Sequence, residues 1–560
     1  MRIGKMHTGA TLSSALVTYT KTVQDITTLQ KLRNPVEGQA TYLALGGRSG
    51  VFEWRGGDFT TEVTIDTLQG VYIPSEGDLS GSEGCWVRKL EGYVTPEMFG
   101  GLGVGATYDD SPAFLCADAV AFIHGFYIKL TATPKYYYVG DVTITSGIGV
   151  VGVNWKRVYA PFSPSDLEGS CAIVFNTSKL KPVRFAGRNK IEGVNFWGDN
   201  KVSPSLSDNQ EILGMVIDNS GFFNYSKGIG ALNTINSSKI SKVHCANNAI
   251  GLSNLVDSMV TDTVCNVNTK GISQQSGAND TAFVNIKSEW NTEVNWNFYG
   301  SVNCTVVGGI CDRAGTAGFS IGGGAEVQIT NVKTRRNGRN ILGDSDCAHY
   351  FIEGGSKAII TGMDTKTGYD DGGGGDITPS YSVSLRGSKA DTVVIVGGDA
   401  RGCVTEAYSF FTEPDTIKVI NVIGIEDRDN EGAYRRFSGK QGIFNTKLSI
   451  NPTNSSVTSV QQPVMSNTSC VSRQVEVAVM GTTTEICNVG YIDLLFSKGL
   501  GNVSGGISSV KYESVAGLLG TTVSEGLQLT LDNISSDGSS FDLTLTNNTV
   551  EGMSVFLNIV

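Results

Sequence analysis

Between Ser241 and Ile425 the chain repeats itself, and the repeat returns charged residues to one position. The most regular copies begin at Val264 (VCNVNTKG), Ile286 (IKSEWNT), Ile310 (ICDRAG) and Val332 (VKTRRNG), at steps of 22, 24 and 22 residues. Two more begin at Met363 and Gly398, after steps of 31 and 35 residues that read as repeats carrying inserted loops. Short apolar runs precede most copies, among them Phe283-Val284, Val327-Gln328-Ile329 and Val393–Val396. One such unit is too small to bury its own apolar face. Short strands and Gly/Asn turns recurring at this period therefore imply a solenoid, whose rungs stack about 4.8 Å apart. Val, Ile, Ala, Cys and Gly suit its interior, and Asn and Thr its corners, where left-handed backbone is tolerated. The position just after each strand holds Glu289, Asp312, Arg313, Arg335, Lys366 and Arg401, which stacking turns into a charged stripe on one face.

Composition agrees with a β solenoid. A chain of 560 residues exceeds a single compact core, so several domains or one elongated body are expected. Charged residues make up only 17% against 40% hydrophobic, with 70 Gly, which describes a folded, turn-rich and mainly β protein. The net charge of −11 speaks against nucleic acid as a partner. No membrane insertion is expected, because the longest apolar stretch, Ala119–Ile128, is broken by His124 and Gly125. The N-terminus lacks the apolar segment of a signal peptide. The 11 Cys are odd in number and lack close pairs, so reduced, buried thiols are expected. The four His lie far apart, and no metal or other cofactor is expected.

Four regions follow. Residues 1–40 are weakly patterned, an attachment or linker segment. Residues 41–95 read as a small leading module of short strands and turns, residues 96–438 as the solenoid. Residues 439–560 open on a Ser/Thr/Asn/Pro-rich linker and continue in strong alternation (VEVAVM, LQLTLDNIS, FDLTLTNN), which predicts an antiparallel β-sandwich. The stretch PEMFGGLGVGATYDDSPAFLCADAVAFI combines a Gly-rich turn, Asp109-Asp110 as helix N-cap and first-turn acid, Pro112 near the first helical position, and a short amphipathic helix. An open solenoid end exposes strand edges, and this helix reads as the lid over them.

The segments GGRSGVFEW, QGVYIP and GCWVRKLEGYVTPEMFG, followed by GATYDDSPAF, resemble the start of bacteriophage tailspikes and capsule depolymerases of the pectate-lyase-like superfamily. Met98-Phe99-Gly100 stands where that family has Trp-Phe-Gly, and Asp109-Asp110 stands for its paired acids. The family's Trp and its acid before the second Gly are missing. The resemblance covers roughly residues 41–435. It implies an all-β chain with a right-handed parallel β-helix. It further implies a homotrimer that binds, and often cleaves, a bacterial capsular or O-antigen polysaccharide. The N-terminus would attach to a phage tail or adaptor protein, placing the protein in the virion and its action at the bacterial surface.

Glycoside hydrolysis needs two carboxylates beside the scissile bond. Glu289 and Asp312, one repeat apart in the stripe, are the leading pair, with Asp364 and Asp399, one column earlier, as the runner-up. Their side-chain spread spans about 5–9 Å, which leaves retaining and inverting outcomes both open. Trp290, Trp296 and Tyr299 lie close to Glu289 in sequence and offer rings for sugar stacking. Asp370, Asp371 and Asp376 fall in the loop GYDDGGGGD, which lacks calcium-loop spacing. Arg313, Arg335, Arg336, Lys366 and Arg401 favour an acidic polymer, although such charges also keep a β surface from aggregating. Endo-glycosidic hydrolysis is the first expectation. A lyase acting on a uronate polymer and a non-catalytic glycan-binding adhesin are the alternatives.

Overall fold

The computed structural model describes residues 21–429 except 146–148, 159–160, 162, 178–183, 186–188, 207–210, 343, 345, 369–375, 387–391, 411–415 and 426–427, and beyond 445 the strands alone. The chain forms two units, Met1–Asp415 with Val422–Ile425, and Thr416–Asn421 with Glu426–Val560.

The first unit opens on a five-stranded sheet in the order Lys21–Val23, Ala40–Leu43, Gly50–Gly56, Gly84–Arg88, Tyr72–Pro74. Val23, Leu29, Phe52, Ile73 and Trp86 form its core. Residues 21–30, read from sequence as part of a separate leading segment, thus supply a strand and a helix to this module. Arg88 stacks 4.5 Å from the Phe52 ring and donates to the carbonyls of Gly70, Ser49 and Arg48, so its charge is solvated by backbone.

The lid helix spans Ser111–His124 and buries Ala113, Phe114, Ala117, Val120 and Ala121. Its two leading acids have other roles than those read from sequence. Asp109 accepts from the Ser111 N–H at 3.0 Å, whereas Asp110 makes no side-chain cap bond. Asp110 is fully buried and accepts from Leu102 N at 2.7 Å and Tyr138 N at 3.1 Å. It ties the Gly-rich turn and the first rungs to the helix.

Beyond the lid the chain winds into a right-handed parallel β-helix of about 16 turns. Three faces recur. On one rung they are Met259–Thr261, Val264–Asn266 and Lys270–Gln275. The third face alone stacks eight strands, from Lys227–Ile229 to Glu406–Phe410. The corner between first and second faces is left-handed rung after rung, at Asp262, Asn285, Gly308, Asn331, Gly362 and Gly397. The corner after the second face is left-handed at Asn247, Val267, Trp290, Arg313 and Arg336, with φ of 56°, 56°, 56°, 52° and 50°.

Inward positions alternate with outward ones, as strand pleating demands. Phe222, Cys245, Cys265, Ser288, Cys311 and Thr334 stack as one inner column. The nine described cysteines are free thiols, eight of them buried. At the inner side of the second corner, Asn248, Asn268 and Asn291 form a ladder with side-chain bonds of 3.1 and 3.2 Å. This ladder satisfies buried amides that no strand pairs.

The register runs Val264, Lys287, Ile310, Lys333, a uniform step of 23 residues. The copies placed at Ile286 and Val332 therefore begin one residue later than their apolar pattern indicated. Both residues are buried beside the first corner and mimic a strand start.

The second unit holds two antiparallel sheets. One orders Thr446–Ile450, Met553–Ile559, Cys470–Gly481, Cys487–Lys498 and Val503–Ser514. The other orders Ser455–Gln461, Ser540–Asn547 and Leu527–Asp532.

Candidate functional site

The outer surface of the second face consists of two columns. One runs Trp197, Phe223, Ala246, Asn266, Glu289, Asp312, Arg335, Lys366. Its first members are apolar and pack with Leu167, Tyr136, Tyr138 and Val158. From Asn266 onward the column turns polar, then charged. Two residues earlier on each strand lies the neighbouring column: His244, Val264, Lys287, Ile310, Lys333, Asp364, Asp399.

Glu289 and Asp312 are direct partners on adjacent strands. Asp312 is fully buried although it stands on the outer surface. Arg336 Nε donates to its Oδ1 at 2.9 Å and Arg336 Nη2 to its Oδ2 at 2.5 Å. Arg313 Nη1 donates to Oδ2 at 3.2 Å, and Arg335 Nε adds a charge contact at 3.2 Å. Arg313 and Arg336 occupy left-handed corners, and that turn of the backbone lays both guanidiniums back over the face.

Glu289 is 4% exposed and sits 2.9 Å from Lys287 Nζ. Burial raises its pKa from 4.5 to about 7, and the Asp312 charge adds to the rise while Arg313, Arg335 and Arg336 oppose it. Lys287 also favours the ionised form, so the shift reflects burial winning over several cations. A carboxyl of this kind is poised to exchange a proton near neutral pH.

Trp290 occupies the corner beside Glu289 and is 40% exposed. The Arg313 guanidinium lies 4.3 Å from its ring centroid and that of Arg339 5.8 Å. The structure thus gathers Glu289, Asp312, Trp290, Arg313, Arg335 and Arg336. Lys366 and Arg401 stand further along, paired with Asp364 at 2.8 Å and Asp399 at 2.9 Å. Asp364 and Asp399 are themselves neighbours in register and partly exposed.

One aromatic expectation is corrected. Trp296 is fully buried inside the helix, stacked on Phe319 at 5.4 Å, with Phe319 in turn on Tyr350 at 5.1 Å, so it presents no ring to a ligand outside. Tyr299 is exposed and ends the third-face strand Trp296–Tyr299. Asp376 bonds Thr378 on the surface, and Asp370 and Asp371 lie outside the described residues. Lys287, Lys333 and Arg339 were missed from sequence. The two-residue alternation locates the two lysines, whereas Arg339 lies in a corner insertion with no periodic signal.

No family model matches the chain. Among solved structures it is similar to the enzymatically active domain of tailspike protein 2 of bacteriophage CBA120, at 14% identity over 97% of this chain and 90% of that one, with a TM-score of 0.47. It is similar to the tailspike of Acinetobacter phage vB_ApiP_P1, at 11% identity, 97% and 98% coverage and a TM-score of 0.42. A third is the tailspike protein gp49 of Acinetobacter baumannii bacteriophage Fri1, a capsular polysaccharide depolymerase, at 11% identity, 96% and 98% coverage and a TM-score of 0.43.

Proposed function

We propose that this chain is a phage tailspike that binds and depolymerises a bacterial surface polysaccharide, capsule or O-antigen, at the second face of its β-helix. The observation that carries the reading is Glu289: a nearly buried carboxyl, its pKa raised to about 7 by burial, on an outer column beside Trp290. In hydrolysis Glu289 donates its proton to the glycosidic oxygen as that bond breaks, while a water adds to the anomeric carbon and its released proton restores the Glu289 carboxyl through solvent. Trp290 offers the sugar a ring, and the arginines hold the chain against the face. Asp312 acts as the counter-ion that orders Arg313, Arg335 and Arg336, not as a group that touches substrate. The remaining parts of the reading are a homotrimer, a sandwich-like second unit that trimerises or binds sugar, and attachment through the N-terminus to a tail or adaptor protein.

A lyase is the second reading, and one observation favours it. Asp312 is enclosed by guanidiniums, which leaves Glu289 without a second reachable carboxyl on the adjacent rung. Elimination next to a uronate carboxylate requires one proton-transfer group and cationic neutralisation. The test is to incubate the protein with capsule and O-antigen polysaccharides and follow polymer length, reducing ends and ultraviolet absorbance of unsaturated products. Reducing ends without new absorbance support hydrolysis, and reducing ends with it support the lyase. Binding without shortening defeats both and leaves an adhesin.

A further inference from the structure

On the second face three rungs pair opposite charges across the two columns, the rung of Ile310 and Asp312 carries a carboxylate alone, and one rung carries two cations. On the rung of Lys287, the neighbouring column position holds Glu289, 2.9 Å away. Two further rungs repeat the arrangement, Asp364 with Lys366 at 2.8 Å and Asp399 with Arg401 at 2.9 Å. Each pairs a cation with a carboxylate across the two columns. One rung between them carries Lys333 and Arg335, cations at both positions. Lys333 is exposed and the Arg335 side chain is 24% exposed. The neighbouring carboxylate, Asp312, is one charge shared among Arg313, Arg335 and Arg336. Across the two columns, the rungs of Ile310 with Asp312 and of Lys333 with Arg335 thus carry two cations and one carboxylate, in a chain whose net charge is −11.

We infer that Lys333 and Arg335 form an anion subsite that takes the acidic group of a negatively charged glycan, two rungs along from Glu289. This rests on the reading of the second face as a polysaccharide site and names the class of polymer it selects. Two residues along a strand separate their Cα atoms by roughly 6.6 Å, which lets one carboxylate or sulfate lie between the two cations. Arg335 offers a planar fork and Lys333 a mobile point charge. Two rungs are roughly 10 Å, so an acidic residue held here leaves a neighbouring part of the same polymer beside Glu289 and Trp290.

The test is a binding measurement in the Glu289→Gln background, so that no polymer is consumed. The probes are acidic capsule and O-antigen polysaccharides and the same polymers with their carboxylates reduced to alcohols. We expect an acidic polymer to bind with an affinity that falls as salt rises, and its reduced form to bind at least about tenfold more weakly, equivalent to ~1.4 kcal/mol. Lys333→Ala weakens the acidic polymer by about tenfold and Lys333→Glu abolishes its binding, with unchanged thermal midpoints. Equal affinity for acidic and reduced forms, indifference to Lys333→Glu, or binding of neutral polymers only overturns the inference. So does a failure to bind any acidic member. A protein that holds acidic polymers through Lys333 and never shortens them keeps the subsite and defeats only the cleavage reading.

Discussion

Glu289 and Asp312 face each other across adjacent parallel strands, yet their carboxyls have opposite surroundings. Asp312 is wrapped by three guanidiniums, whereas burial dominates at Glu289 and raises its pKa to about 7. Two acids at equivalent positions on neighbouring rungs are thereby set to different tasks by what the corner residues lay over them.

Glu289→Gln removes the proton while keeping shape. Cleavage of the polymer should fall by about 10²–10⁴-fold with affinity retained. In the wild type the hydrolytic rate should decline as pH rises through about 7. Rate profiles measured on both proteins decide this, and a Gln variant with near-normal turnover refutes Glu289 as the proton donor.

The same group links stability to pH. Its folded pKa lies above its unfolded value, 4.5 against about 7, so the folded state holds the extra proton between them. The contribution is fully present below pH 4.5 and is lost as pH rises through about 7. The interval corresponds to on the order of 3 kcal/mol, an upper figure given the nearby Lys287. Thermal midpoints of wild type and Glu289→Gln should agree in acid and diverge above neutrality, with the variant the more stable.

Asp312→Asn leaves three guanidiniums without their shared counter-ion. Breaking a buried ion cluster in this way costs about 3–5 kcal/mol. Arg401→Ala, which removes a side chain 66% exposed, should change stability by less than about 0.5 kcal/mol. Denaturation midpoints of the two variants provide the comparison. In whatever fraction of Asp312→Asn folds, the rate profile should move to lower pH, because the Asp312 charge helps raise the Glu289 pKa.

Trp296→Ala and Trp290→Ala separate core from surface. The first opens a void in an aromatic stack and should cost about 3–5 kcal/mol. The second should leave the midpoint nearly unchanged and weaken glycan binding. Calorimetry and binding isotherms on the pair test the assignment, which fails if Trp296→Ala is the variant that loses affinity at full stability.

The solenoid was legible because its period survives any single substitution, and the partnership of Glu289 with Asp312 was legible because they share a column. Parity across a corner was not. The turn from Glu289 to Trp296 erases the two-residue alternation, so an interior ring beside an acid in sequence looked like a sugar platform. Ile286 and Val332 shifted the apparent start of two copies because residues buried beside a corner are as apolar as those in a strand. The sealing of Asp312 had no strand-level signal, since it arises from the left-handed backbone at Arg313 and Arg336. The role of Asp110 was hidden for a related reason: only the fold brings the Tyr138 N–H within reach of its carboxylate.

The two long steps of the repeat, 31 and 35 residues, take up most of their extra length between Arg335 and Ala348 and between Lys366 and Tyr381, just past the charged column. The strands on either side keep their pairing, Arg335 with Lys366 and Asp364 with Asp399. Mutational drift in length is thereby confined to the bend that borders the proposed site. Insertion or exchange can rewrite that bend while the stacked scaffold is inherited unchanged.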